Sequence, residues 1–138
     1  MEPIYTASAV AIGDGRNGHV RTMDGLVDTD VRTPKEMGGA GGAPNPELLF
    51  AAGYAACFHN ALRRVVREAG ADATDSEVVA DVFLSRLPNR NLSLAVQLEI
   101  SLPNVDPDAA REFMHQAHQI CPYSNATRGN IEVTLTLA

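Results

Sequence analysis

The sequence predicts an α+β domain with mostly antiparallel pairing. Three observations carry that expectation: period-two alternation in several short segments, two long stretches of helical periodicity each opened by a cap-then-proline signal, and the order strands, helix, strands, helix, strand. At 138 residues, 45% apolar and 20% charged, the chain is long enough to bury a genuine core and is expected to form a single domain over residues 1–138.

Ile4–Ile12 alternates loosely and reads as a strand. Gly13-Asp14-Gly15 makes a turn, and His19–Met23 with Val27–Arg32 reads as a hairpin around Asp24-Gly25. Thr33 to Pro44, with two prolines and four glycines, is a loop. Asn45-Pro46-Glu47 then has the grammar of a helix start: asparagine caps, proline suits the first helical position, and an early acid faces the positive end of the dipole. This helix runs to about Ala69 and stops at Gly70. Its first half is apolar almost all round, which predicts burial on every side, and its second half is amphipathic. Gly53 in its middle costs about 1 kcal/mol against alanine, which suggests close approach by another backbone; packing against a second copy of the helix would satisfy both features.

Ser76–Leu87 and Leu92–Leu102 alternate and form a second hairpin joined by Pro88-Asn89-Arg90-Asn91. Asp106-Pro107-Asp108 opens the second helix, whose Ala110, Phe113, Met114, Ala117 and Cys121 share one face, and Pro122 ends it. Ile131–Leu137 is the last strand.

Composition excludes several classes. A net charge of −6 with a single lysine argues against a nucleic-acid surface, which usually carries a basic patch. The uncharged Leu48–Phe58 run is far short of the roughly 20 residues a bilayer requires, so no membrane span is expected. The start of the chain lacks the basic and apolar regions of a secretory signal. Gly13-Asp14-Gly15-Arg16-Asn17-Gly18 spells the dinucleotide fingerprint, but that pattern needs a helix directly after its third glycine, and His19–Met23 is strand-like.

The chemistry rests on two cysteines, Cys57 in the first helix and Cys121 at the end of the second. Both point toward the core, so they are either inert packing residues or a redox pair. Reactivity needs the thiolate, and a cysteine in apolar surroundings is pushed the wrong way unless a cation reaches it. Arg16, in its glycine-rich turn, is the candidate cation; an isolated loop arginine is otherwise simply solvated. His59 lies about 200° around the helix from Cys57 and cannot serve that thiol. His115, His118 and Cys121 follow an i, i+3, i+6 course that offers three metal ligands, the alternative being ordinary surface histidines.

Three segments carry a family resemblance: Asn45-Pro-Glu-Leu-Leu-Phe-Ala-Ala-Gly-Tyr-Ala-Ala-Cys-Phe58, Ala117-His-Gln-Ile-Cys-Pro-Tyr-Ser-Asn-Ala-Thr-Arg-Gly-Asn130 and Gly15-Arg-Asn-Gly-His-Val-Arg-Thr-Met-Asp-Gly25. In order and over nearly the whole chain, they resemble the organic hydroperoxide resistance (Ohr) proteins of the OsmC/Ohr superfamily. The resemblance implies an intertwined α+β homodimer, with antiparallel sheets wrapped around central buried helices. It further implies a cytoplasmic thiol peroxidase that reduces organic and fatty-acid hydroperoxides to alcohols. No bound cofactor is implied; the reductant would be an external dithiol, the dihydrolipoyl group of a lipoylated protein or dihydrolipoamide. By motif, Cys57 is the peroxidatic and Cys121 the resolving cysteine, Arg16 the activating arginine and Glu47 its carboxylate partner. Departures from the family pattern are Leu48, where glutamine is usual, Ala43-Pro44 in place of glycine-threonine, and a Pro88–Asn91 hairpin without the usual glycines.

Glu47 and Cys57 are ten residues apart, about 15 Å along one helix. If Glu47 and Arg16 serve Cys57, at least the glutamate comes from the partner subunit across an antiparallel helix pair, giving two shared sites per dimer. The rival readings are a non-catalytic lipid-binding dimer with inert thiols, and a related superfamily member with a different oxidant.

Overall fold

A computed structural model describes residues 1–138, and the α+β class holds. The chain runs β1 (Ala9–Ile12), β2 (His19–Thr22), β3 (Asp28–Asp30), α1 (Pro46–Glu68), β4 (Glu77–Arg86), β5 (Leu92–Ser101), α2 (Pro107–Ile120), α3 (Pro122–Thr127) and β6 (Val133–Leu137), with 3-10 turns at Gly15–Asn17 and Lys35–Met37. It divides into two compact units, Met1–Leu49 and Phe50–Ala138. No helix is long and apolar enough to cross a membrane.

The first unit is an antiparallel sheet in the order β1-β2-β3. The expected strand from Ile4 pairs only from Ala9 onward. Its partner β2 ends at Thr22, opposite Ala9, and one further backbone bond, Met23 N to Ser8 O at 2.9 Å, closes the pairing where the chain turns at Asp24-Gly25. The expected Asp24-Gly25 turn is present: Asp24 Oδ1 accepts from the Thr22 hydroxyl at 2.7 Å and from the Leu26 amide at 3.0 Å, and Gly25 takes φ 76°.

Helix α1 begins where the cap signal places it. Asn45, nearly buried, accepts the Leu48 amide on its Oδ1 at 2.9 Å, with Pro46 in the first turn. This satisfies one of the donors a helix start leaves free. At the far end Gly70, at φ 73°, donates to Arg67 O (2.9 Å) and Ala71 to Val66 O (3.0 Å). That reciprocal pair is the Schellman arrangement, which needs a left-handed residue where glycine stands.

In the second unit the sheet order is β4-β5-β6. Antiparallel β4–β5 pairs in full register from Glu77↔Ser101 to Arg86↔Leu92. Strand β6 instead runs parallel to β5. Between them the chain crosses back through α2 and α3, and such a crossover returns the next strand in the same direction. The core joins the α1 stripe Tyr54, Phe58, Leu62 and Val66 to Val96, Leu98 and Ile100 of β5, and to Ala110, Met114 and Ala117 of α2. Each large apolar side chain buried here contributes about 1.5–3 kcal/mol.

Within one chain the first half of α1 is not covered on every side: Leu48 is 56% exposed, and Leu49, Ala52 and Ala56 also face outward. One chain supplies a single layer against this helix, whereas an all-round apolar surface needs two. After Cys121 comes a further short helix, α3, which the sequence did not predict. Pro122 ends α2 but occupies the first turn of α3, where its missing N–H costs nothing.

Candidate active site

The first unit holds Arg16 and Glu47. Arg16 lies in the 3-10 turn Gly15–Asn17, closed by Asn17 N to Asp14 O (2.9 Å) and Gly18 N to Gly15 O (3.1 Å). This turn leads into strand β2 rather than a helix, as the rejection of a dinucleotide fold expected. Glu47 stands in the first turn of α1. The guanidinium meets it fork to fork, Nη1 donating to Oε2 at 2.8 Å and Nη2 to Oε1 at 2.7 Å. The glutamate side chain is 16% exposed and the arginine 39%. The hydrogen bonds from Arg16 hold the Glu47 carboxyl below its ordinary range against the opposing effect of burial, and Glu47 in turn raises Arg16. A planar, bidentate pair of this kind fixes where the guanidinium points, which a lysine could not do.

The second unit holds both cysteines as free thiols. Cys57, midway along α1, is partly exposed. Cys121 is fully buried and lies in extended conformation (φ −65°, ψ 125°) as the one residue between α2 and α3. Their sulfurs are 3.5 Å apart in S–H···S contact. Helical periodicity explains the meeting: Cys57 continues the face of Tyr54, and Cys121 continues the buried face of Met114 and Ala117.

Burial first, and then the Cys121 thiol, push the Cys57 thiol above its ordinary range, while the backbone N–H of Tyr123 acts in the opposite direction. No cation is among the groups acting on it within this unit. A neighbouring sulfur makes Cys57 a candidate for disulfide chemistry, but ionisation requires a positive charge brought to it.

Three aromatic rings cluster on the same helices as the cysteines. Tyr123 lies 5.6 Å from the ring of Tyr54 and 6.1 Å from that of Phe50. It also explains Gly53: a Cβ there would lie 2.7 Å from the Tyr123 hydroxyl. The glycine thus makes room for a side chain of the same chain rather than for the backbone expected from the sequence.

The structure brings Arg16 to Glu47 and Cys57 to Cys121. Of the histidines, His59 Nε2 is 2.9 Å from Ser76 Oγ. The run His115, His118, Cys121 does not form a ligand set: no group of three or more His, Cys, Asp or Glu side chains converges anywhere, and His118 Nδ1 is engaged by Ser124 Oγ at 2.8 Å. Sequence reasoning missed Tyr54, Ser124 and Tyr123. Tyr54 stands three before Cys57 and Ser124 three after Cys121, a spacing that gains meaning only once the helices are in place.

Comparison with known proteins identifies the family. Residues 39–136 match the family model described as OsmC-like protein. The organic hydroperoxide resistance protein of Xanthomonas axonopodis pv. citri is 44% identical over 98% of this chain and 95% of its own length. The protein OhrB of Bacillus subtilis, an organic hydroperoxide resistance protein, is 40% identical over 97% of this chain and 98% of its own length. The crystal structure of an organic hydroperoxide resistance protein from Legionella pneumophila superposes with a TM-score of 0.94 at 44% identity, covering 99% of each chain. With a family model matched over residues 39–136 and relatives of this name matched over nearly their whole length, this chain belongs to the OsmC family, on its organic hydroperoxide resistance branch.

Proposed function

We propose that this chain is a thiol peroxidase that reduces organic hydroperoxides, fatty-acid hydroperoxides among them, to alcohols and so protects the cell against oxidative stress. The observation that carries the reading is the Cys57–Cys121 contact at 3.5 Å, with one sulfur partly exposed and the other fully buried. The exposed sulfur is reachable by a peroxide, and the buried one is protected from it yet positioned to condense.

The Cys57 thiolate attacks the distal oxygen of the hydroperoxide. An S–O bond forms, the O–O bond breaks, and the leaving alkoxide takes a proton to become the alcohol. Cys57 is left as sulfenic acid. Cys121 attacks that sulfur, water leaves, and the disulfide closes. An external dithiol, proposed to be a dihydrolipoyl group, then reduces the bond by two exchange steps and is itself oxidised to a disulfide. Arg16 keeps Cys57 ionised and stabilises charge on the departing oxygen, and Glu47 fixes the guanidinium. Apolar side chains such as Phe50 and Tyr123 favour a greasy substrate tail over hydrated hydrogen peroxide.

The 138 residues act as one OsmC/Ohr-like domain in an intertwined homodimer, in the cytoplasm. Two observations support shared sites. Burial raises the Cys57 thiol with no cation acting on it, and ten residues of continuous α1 separate Glu47 from Cys57, about 15 Å of rise. The Arg16–Glu47 pair therefore reaches the thiol from the partner subunit, and the outward Leu48, Ala52 and Ala56 face is the surface on which the two α1 helices pack.

The test is a mixed dimer with Cys57→Ser in one chain and Glu47→Ala in the other. One intact site, and close to half the wild-type turnover of cumene hydroperoxide with dihydrolipoamide, is expected. Zero activity in the mixed dimer overturns the shared site. Consumption of peroxide without loss of thiols overturns the reaction itself.

A further inference from the structure

A chain of buried hydroxyls runs beside the two thiols. His118 Nδ1 is 2.8 Å from Ser124 Oγ, Ser124 Oγ is 2.8 Å from the Tyr54 hydroxyl, and that hydroxyl is 3.0 Å from Thr127 Oγ1, which donates to the Ser124 carbonyl at 3.3 Å. Tyr54 and Ser124 are fully buried and Thr127 is 5% exposed. Hydrogens must be shared out along this chain, one per hydroxyl. Thr127 spends its hydrogen on the carbonyl, so Tyr54 donates to Thr127, Ser124 donates to Tyr54, and His118 donates from a protonated Nδ1. Only that direction satisfies all four contacts at once.

The placement of these residues matters more than their number. Tyr54 lies one turn before Cys57 on α1. His118 lies one turn before Cys121 on α2, and Ser124 one turn after it on α3. Cys121 is the single extended residue joining α2 to α3, so rotation about its backbone swings one helix relative to the other. The hydroxyl chain spans that corner, tying α3 to α1 through Tyr54 and to α2 through His118. A second tie, Arg128 Nη1 to the His118 carbonyl at 2.9 Å, braces α3 against α2 alone.

Given the reading of Cys57 as the oxidised and Cys121 as the resolving sulfur, we propose that Tyr54, Ser124, Thr127 and His118 are positioning residues for the second chemical step. They hold the Cys121 corner against α1 so that the two sulfurs, 3.5 Å apart, need approach only about 1.5 Å to reach the roughly 2.05 Å of a disulfide. Loosening the corner lowers the effective concentration of Cys121 at the sulfenic acid and leaves the attack of Cys57 on peroxide untouched.

The test separates the two steps in wild type, Ser124→Ala and Tyr54→Phe, the last keeping the ring that packs against Phe50 and Tyr123. Each protein is mixed rapidly with cumene hydroperoxide and quenched with dimedone, and sulfenic acid, disulfide and sulfinic acid are followed by intact mass. Sulfenic acid should form at the wild-type rate in both variants. Disulfide closure should slow at least about fivefold, the loss of one or two net hydrogen bonds, and sulfinic acid should appear at lower peroxide. Closure at the wild-type rate in Tyr54→Phe overturns the inference, as does equal slowing of both steps, which marks a merely structural role. A wild-type protein that never forms the Cys57–Cys121 bond fails earlier, and overturns the proposed reaction itself.

Discussion

Gly53→Ala puts two opposing effects of similar size on one atom. Alanine in a helix interior is favoured over glycine by about 1 kcal/mol. The added Cβ, however, would lie 2.7 Å from the Tyr123 hydroxyl oxygen and 3.2 Å from two of its ring carbons. To restore an ordinary 3.4 Å contact the hydroxyl must retreat by about 0.7 Å. Tyr123 is 39% exposed, which leaves it room to swing outward, but the movement disturbs its packing at 5.6 Å from Tyr54 and 6.1 Å from Phe50. Aromatic pairs of this kind are worth about 0.5–1.5 kcal/mol each. The helix gain is thus cancelled or exceeded, and Gly53→Ala should be neutral to about 1 kcal/mol destabilising. In a Tyr123→Phe background the closest atom is gone, and the same substitution should be more favourable by at least about 0.5 kcal/mol. Urea denaturation at one fixed protein concentration measures the four-variant cycle. A full 1 kcal/mol of stabilisation in both backgrounds would show that Tyr123 does not lie over Gly53.

Removing the α1 cap by Asn45→Ala should cost about 1 kcal/mol, and Asn45→Asp, which keeps an acceptor for the Leu48 amide, should restore most of it; equal urea midpoints for all three would contradict the cap. His19 lies between Asp30 (Nδ1 to Oδ1, 2.8 Å) and Asp28 (Nε2 to Oδ1, 2.5 Å), hydrogen bonds that raise its pKa, Asp30 foremost. Because the folded value lies above the ordinary value of about 6.5, the contribution to the β2–β3 pairing is complete below that pH and is lost as pH rises through the raised value. Asp30, held low chiefly by His19, loses its contribution instead as pH falls through its own depressed value. An NMR titration of the His19 ring should report the raised value, and one at or below the ordinary range would sink the clamp.

Local grammar made much of the fold readable. Asn45-Pro46-Glu47 and Gly70 bound α1 because capping is chemistry within a few residues, and the β4–β5 hairpin is visible because its alternation and its turn are adjacent in the chain. Nonlocal choices were hidden. The parallel pairing of β6 depends on which side of β5 the crossover returns to, and the alternation Ile131, Val133, Leu135 is the same for either direction. Helix α3 is not visible in the sequence because six residues carry no periodicity. The burial expected around Leu48, Ala52 and Ala56 follows from composition, but which chain covers them does not. At the site, the thiols were legible by type and helical face. The Tyr54–Ser124–His118 connection was not, since each of these residues is unremarkable until three helices bring them together.

The claim on which the whole account depends is that a guanidinium keeps Cys57 ionised in the assembled protein although burial within its own chain pushes the thiol upward. The most direct measurement is the pH dependence of thiolate absorbance at Cys57, in a Cys121→Ser background, with Arg16 and with Arg16→Ala. The account predicts a pKa well below the roughly 8.5 of an ordinary thiol when Arg16 is present, rising above that value when it is removed. The same pKa in both proteins, or a thiol protonated well above neutrality in the first, would contradict it.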